Sequence, residues 1–129
     1  MRVRDAAVRA LGHMGSAAAS SVPEILKQLR RLSFSSFREG VAFALANIGQ
    51  EAPEAVLPSV LEALQASEWY VRWAAASACG LLGEKAAASV PQLRLAKYDS
   101  EPKVRTVAEK ALDLIDKATD VPSPSAPSL

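Results

Sequence analysis

The sequence predicts an all-α fold in which antiparallel helix pairs stack along one axis to form a solenoid. Two observations lead to this prediction. Half of the 129 residues are apolar, only 5% are aromatic and 25 are alanine, which favours closely packed helices over sheets of aromatic and β-branched side chains. Helix-like patterns also recur with a period close to 34 residues, and a fixed period of this length indicates stacked supersecondary units.

The repeat is marked by an apolar residue followed by arginine. It occurs, with spacings of 34, 34 and 33 residues, at Val3-Arg4, Phe37-Arg38, Val71-Arg72 and Val104-Arg105. Small or apolar residues follow each arginine at offsets of three, six and seven, which lie on one face of a helix. Three of these segments reach a glycine, at Gly15, Gly49 and Gly83, where we expect the helix to end in a left-handed residue.

A second type of helix is predicted between the arginine-containing helices. Its segments have a proline near the start and apolar residues three and four apart, a spacing typical of amphipathic helices. They are Val22-Pro23-Glu24-Ile25-Leu26, Leu57-Pro58-Ser59-Val60-Leu61 and Val90-Pro91-Gln92-Leu93. Because proline is tolerated in a first helical turn, Pro53 is expected to open its helix and Pro58 to bend it.

The alternation of a Val-Pro-x-Leu helix with a Val-Arg-x-x-Ala-x-x-Ala-Leu-Gly helix over residues 2–116 resembles HEAT repeats, in the compact variety also found in phycobilisome-lyase-type proteins. The resemblance implies a right-handed α-solenoid of about 3.5 HEAT-like repeats. It places the proline-containing helices on the convex side. The arginine-containing helices then line the concave side.

The resemblance also predicts the domain organisation. The repeat domain covers residues 1–118, with a second-type helix at 2–15 and helix pairs at about 20–49, 54–83 and 87–116. Because the helix at 2–15 lacks its partner, we expect either a fragment of a longer array or self-association through the uncapped N-terminal helix. Residues 119–129 are rich in proline and serine and are predicted to be a disordered tail.

In the resembled family an aspartate often stands six residues before the repeat arginine. Here only Asp99, before Arg105, keeps it, and Leu32 and Ala66 occupy the two preceding places. The arginines are expected to brace successive repeats, because a guanidinium can satisfy several carbonyl groups of a turn at once. Three of the four should therefore find partners other than this aspartate.

The sequence contains no motif for catalysis, for a cofactor or for a metal. His13 and Cys79 are the only histidine and cysteine, without a carboxylate or thiol cluster at metal-ligand spacing. His13 is interpreted as a solvated residue at a helix end, and Cys79, which aligns with leucines of the other repeats, as a buried small hydrophobe. The sequence thus predicts a protein that is not an enzyme. A single cysteine, no secretory signal and no apolar span predict a cytoplasmic protein without a membrane partner.

The outward positions of the arginine-containing helices carry apolar groups where polar ones are expected. A projection of about 100° per residue turns Phe43, Trp73 and Leu81 away from the core. Such patches mark contact surfaces, and tryptophan is enriched at binding hot spots. The predicted partner-binding residues are Phe43, Trp73, Asn47, Ser77, Leu81 and Arg9. The alternative is that Phe43 or Trp73 is buried between repeats, and Trp69 is expected to be the core residue of the two tryptophans.

These observations predict a scaffold that binds another protein on its concave helical face. Two alternatives stay open: a part of a lyase- or chaperone-like factor acting on a chromophore-bearing protein, suggested by the resemblance alone, and a helical-repeat module that binds nucleic acid. The net charge of +1 gives no general attraction to a polyanion. The charges assigned to the concave face also argue against nucleic acid, because four acidic residues stand against two basic ones. They are Asp5, Glu39, Glu109 and Asp113 against Arg9 and Lys110.

Overall fold

The computed structural model describes residues 20–31 and 35–119, and its elements there are helical. The α-helices in these ranges are α1 (Val22–Arg31), α2 (Ser35–Glu51), α3 (Pro53–Ala63), α4 (Trp69–Leu82), α5 (Val90–Ala96) and α6 (Pro102–Thr119), with a 3₁₀ segment, Gly83–Ser89, between α4 and α5. The all-α fold is confirmed. The helix predicted at 2–15, the binding residue Arg9 and the predicted tail beyond residue 119 lie outside the described residues.

The helices form two layers. In the first layer α4 contacts α2 on one side and α6 on the other. The second layer contains α1 and α3, followed by the 3₁₀ segment and α5. Each arginine-containing helix also packs against the shorter helix before it, so that α1 pairs with α2, α3 with α4 and α5 with α6. This is the stacking of helix pairs that the 34-residue period predicts.

The offsets of three, six and seven residues from each repeat arginine identify the core. The described residues at these positions that are at most 1% exposed are Val41, Ala44, Leu45, Ala75, Ala78, Cys79, Ala108 and Ala111. Leu112 is the exception and is only partly buried, because it lies in the last helix pair of the described stack. Many of the buried side chains are small, which allows neighbouring helices to approach closely.

Two glycines at equivalent repeat positions have different roles. Gly83 ends α4, as predicted, with a φ of 61° and a ψ of −130°, which is a positive-φ conformation open to glycine but is not the left-handed α conformation that was expected. The same prediction is wrong for Gly49, because α2 continues to Glu51. Gly49 instead provides space, since an added Cβ would lie 2.9 Å from Cδ2 of Leu82. A glycine in sequence does not distinguish a helix end from a close helix contact.

The last helix pair presents a charged outer surface. In α1 and α3 the corresponding positions hold buried or partly buried leucines, namely Leu26, Leu29, Leu61 and Leu64. In α5 they hold Arg94 and Lys97, which are both exposed. With Tyr98 of the following turn and with Asp113 and Asp116 of α6, these residues line a cleft that we call the end surface. Polar residues of this kind are typical of the outer face of a terminal repeat.

Candidate functional site

A groove of about 480 Å³ runs between α4 and α6. The helix backbones approach closely at its floor, where a Cβ added to Gly80 would lie 3.1 Å from the Cα of Ala111. Larger side chains stand on both sides of these small residues and form the walls. The lining residues are Trp73, Ser77, Gly80 and Leu81 from α4 and Pro102, Lys103, Thr106, Val107, Lys110, Ala111 and Leu114 from α6. The volume falls in the range of about 300–1,000 Å³ that is usual for ligand pockets.

The structure brings together three of the six predicted binding residues. Trp73, Ser77 and Leu81 line the α4–α6 groove. Phe43 and Asn47 lie on α2, at the repeat positions of Ser77 and Leu81, and are not among the lining residues. Phe43 is 41% exposed and Leu81 is 51% exposed, so the alternative in which Phe43 is buried between repeats is wrong. Trp73 and Asn47 are partly buried.

The sequence argument missed part of the α6 wall. Pro102, Lys103 and Val107 line the groove but were not among the outward positions selected from the repeat. Lys103 precedes Lys110 by seven residues, which is two helical turns. That spacing in the sequence was the signal that could have identified it.

Arg38 lies against both tryptophans. Its guanidinium carbon is 4.8 Å from the ring centroid of Trp69 and 5.2 Å from that of Trp73, distances at which a cation is attracted to an aromatic face. Both rings are partly buried, and Trp73 is the one that packs against the core. The expectation that Trp69 would be the core residue of the two tryptophans is therefore wrong, because Trp69 lies at the start of α4 and Trp73 one turn further into the helix layer.

Asp99 joins the last two helix pairs through Arg72. Its carboxylate accepts two hydrogen bonds from this guanidinium, from Nε at 2.8 Å and from Nη2 at 2.9 Å. Nη1 of Arg72 donates to the carbonyl groups of Ala66 and Ser67, each at 2.9 Å. The carboxylate was expected to belong to Arg105, and this is wrong: Arg105 donates to the backbone carbonyl of Asp99. Arg72 thus contacts the turn of the next repeat. The residue spacing within one repeat does not reveal such a contact between repeats.

The same geometry explains the position of Arg38. The residue that corresponds to Asp99 one repeat earlier is Ala66, which has no carboxylate. Arg38 contacts the rings of Trp69 and Trp73 at this junction. The aromatic pair therefore has a structural role. Trp73 also lines the groove, so its substitution would affect both the junction and the groove.

The ionisable side chains with shifted pKa values belong to the packing and ion pairing of the fold. Burial acts to raise the pKa of Asp99, but the hydrogen bonds from Arg72 and Glu101 and the charges of Arg72 and Arg105 outweigh it, and the pKa is lowered. Burial raises the pKa of the Cys79 thiol to about 11, against a hydrogen bond with Ser89. Cys79 is fully buried, as predicted. Within residues 20–31 and 35–119 there is no group of three metal-binding side chains.

The charges beside the groove are lysines. Lys103 and Lys110 are the only charged residues that line it, and both are exposed. Asp113, which the sequence argument placed on this face, lines the end surface instead. The groove is thus more basic than the sequence predicted.

Comparisons with known proteins agree with the helix pairs. The family model described as HEAT repeats matches residues 22–113, more than two thirds of the chain. The model described as PBS lyase HEAT-like repeat matches residues 3–31. No curated protein and no solved structure matches the chain. In the ranges that the structure describes, no helix is both long enough and apolar enough to cross a membrane.

Proposed function

Because the chain belongs to the HEAT repeat family, whose members are commonly protein-interaction scaffolds, we propose that it binds a protein partner through α2, α4 and α6. The proposed binding face consists of Phe43, Trp73, Ser77, Leu81 and Leu114 and is called the second-helix face. One observation carries the proposal: Phe43, Leu81 and Leu114 are 41%, 51% and 37% exposed. Exposed apolar groups on adjacent helices are typical of a contact surface.

The proposed role is non-catalytic. Asp99 and Cys79 are the described side chains with a clear pKa shift. Asp99 is engaged by Arg72, and Cys79 is enclosed in the core with its thiol protonated at neutral pH. Neither supplies a free nucleophile or a general base to the groove.

Helix α5 and the turn that follows it also expose large apolar side chains. Leu95 is 73% exposed and Tyr98 is 83% exposed, more than any residue of the second-helix face. They alternate with Arg94 and Lys97, whereas the apolar groups around the groove adjoin one another. Because contact surfaces are most apolar at their centre and polar at their rim, we favour the second-helix face.

Capture of a partner from the source cell's lysate tests this choice. The double variant F43S/L81S removes two exposed apolar groups from the proposed face, and L95S/Y98S removes two from α5 and the turn after it as a matched control. Both leave the buried core intact, and circular dichroism checks their folding. The proposal predicts a captured partner that is lost with F43S/L81S and kept with L95S/Y98S. A partner lost only with L95S/Y98S contradicts it.

The match of residues 3–31 to the PBS lyase HEAT-like repeat keeps one alternative in view, a lyase- or chaperone-like factor for a chromophore-bearing protein. That alternative predicts binding of a free tetrapyrrole, seen as a shift of its absorbance when the protein is added. Self-association through the helix predicted at 2–15 is a separate prediction. If it occurs, sedimentation equilibrium should show the mass of a dimer.

A further inference from the structure

The α4–α6 groove combines an apolar lining with two cations and no acidic residue. We infer that its occupant is an acidic amphipathic helix of the partner protein, with apolar side chains in the groove and carboxylates beside Lys103 and Lys110. This inference rests on the proposed protein-binding function and specifies the chemistry of the partner.

The charge pattern favours a carboxylate-bearing ligand. Lys103 and Lys110 are exposed and both lie on α6. They are seven residues apart, which corresponds to about 10.5 Å along the helix. No acidic side chain lines the groove to neutralise them. A complementary ligand therefore carries negative charges about two helical turns apart, and complementary charges favour the correct partner over others.

The lining favours a ligand that inserts apolar side chains. Trp73, Leu81, Val107 and Leu114 provide most of the wall, and Gly80 and Ala111 leave space at the floor. Leu81 and Leu114 are exposed, so a ligand that covers them removes apolar surface from water. Two cations are few for a polyanion site, because nucleic-acid binding gains affinity from many phosphate contacts.

Backbone hydrogen bonding favours a helical ligand over an extended one. Both walls are helices, whose backbone groups are already paired, so the groove offers no strand edge to an extended peptide. A helix satisfies its own backbone hydrogen bonds and can lie on apolar side chains without unpaired polar groups. From Lys103 to Leu114 the groove is about 16 Å long, the length of about 11 helical residues. Acidic residues seven apart on such a helix face the two lysines.

The test is a selection that does not assume the ligand's sequence. A phage-displayed library of random peptides of about 16 residues, long enough to span the groove, is panned on the full chain. The affinities of the selected peptides are then measured by fluorescence polarisation against the wild type, K103E/K110E, L81S and the control R94E/K97E. The control makes the same change in formal charge on the end surface.

The inference predicts peptides in which acidic residues recur beside apolar residues at helical spacing. It predicts about tenfold weaker binding by K103E/K110E, as expected for the loss and reversal of two partly exposed ion pairs. Binding by R94E/K97E should be unchanged, and added salt should weaken binding by the wild type.

Three results overturn the inference and differ in what they mean for the proposed function. In the first, the selected peptides lose affinity with L81S but are neutral or basic, or are bound equally by K103E/K110E. This result would support the proposed binding face and contradict an acidic partner. A failure to select peptides, or peptides indifferent to both L81S and K103E/K110E, would count against the inference and the proposed face together. Displacement of the peptides by a mixed-sequence DNA duplex at low concentration would assign the groove to nucleic acid.

Discussion

Substitution of Asp99 by alanine tests how the repeats are held together. The carboxylate accepts three hydrogen bonds, two from Arg72 and one from the backbone N–H of Glu101 at 2.9 Å. The Arg72 and Asp99 side chains are 16% and 11% exposed, so the pair resembles a buried ion pair more than a surface ion pair. Removing one partner of a buried pair costs about 3–5 kcal/mol. Because Arg72 keeps its bonds to Ala66 and Ser67, we expect D99A to lower the free energy of unfolding by about 3 kcal/mol.

Urea denaturation of wild type and D99A at neutral pH measures this cost. The control is D113A, which removes an ion pair to Lys117 whose side chains are 73% and 62% exposed, and it should cost less than about 0.5 kcal/mol. The pKa of Asp99 is lower in the folded state, so its stabilisation is present above the unfolded pKa of about 3.9. It is lost as the pH falls through the lower folded value, and the gap between wild type and D99A should narrow below about pH 4. A cost below about 1 kcal/mol at neutral pH, as for a surface pair, would refute the reasoning.

Three further predictions concern the α4 helix. G80A places a methyl group 3.1 Å from the Cα of Ala111, and such overpacking should lower the unfolding free energy by about 1–3 kcal/mol in the same urea assay. G83A puts a Cβ on a residue with a φ of 61°, which should cost about 1 kcal/mol. If G83A is as stable as the wild type, the positive φ at this helix end is wrong. Cys79 should not react with a thiol reagent in the folded protein, because it is buried with a pKa raised to about 11, and should react fully in urea. Rapid reaction in buffer would contradict its enclosure.

Sequence periodicity predicted the fold because each repeat shows the same spacing of residues within a single helix. Each arginine-containing helix has its small residues at the same offsets, and each occurrence supports the others. The period therefore identified both helix types and the core residues such as Leu45 and Ala78. Pro53 was predicted to open its helix and does so. The 3₁₀ segment Gly83–Ser89 was not predicted.

The candidate site was predicted less completely because it depends on contacts between helices. Trp73, Ser77 and Leu81 follow from the face of one helix, and the structure places all three in the groove. The opposite wall, with Lys103 at the start of α6, depends on how α6 is rotated against α4. The stacking of Arg38 on Trp69 and Trp73 likewise joins residues of different repeats. The sequence shows that Asp is missing at Ala66 but does not show what contacts Arg38 instead.

Site-specific photo-crosslinking tests the second-helix face most directly. The photoreactive amino acid benzoylphenylalanine replaces Leu81 in one protein and Tyr98 in another, two exposed positions on different surfaces. Each protein is irradiated in the source cell's lysate and examined for adducts of higher mass. The account predicts a discrete protein adduct from position 81 that is absent from position 98. An adduct formed at position 98 and not at position 81 would contradict the central claim.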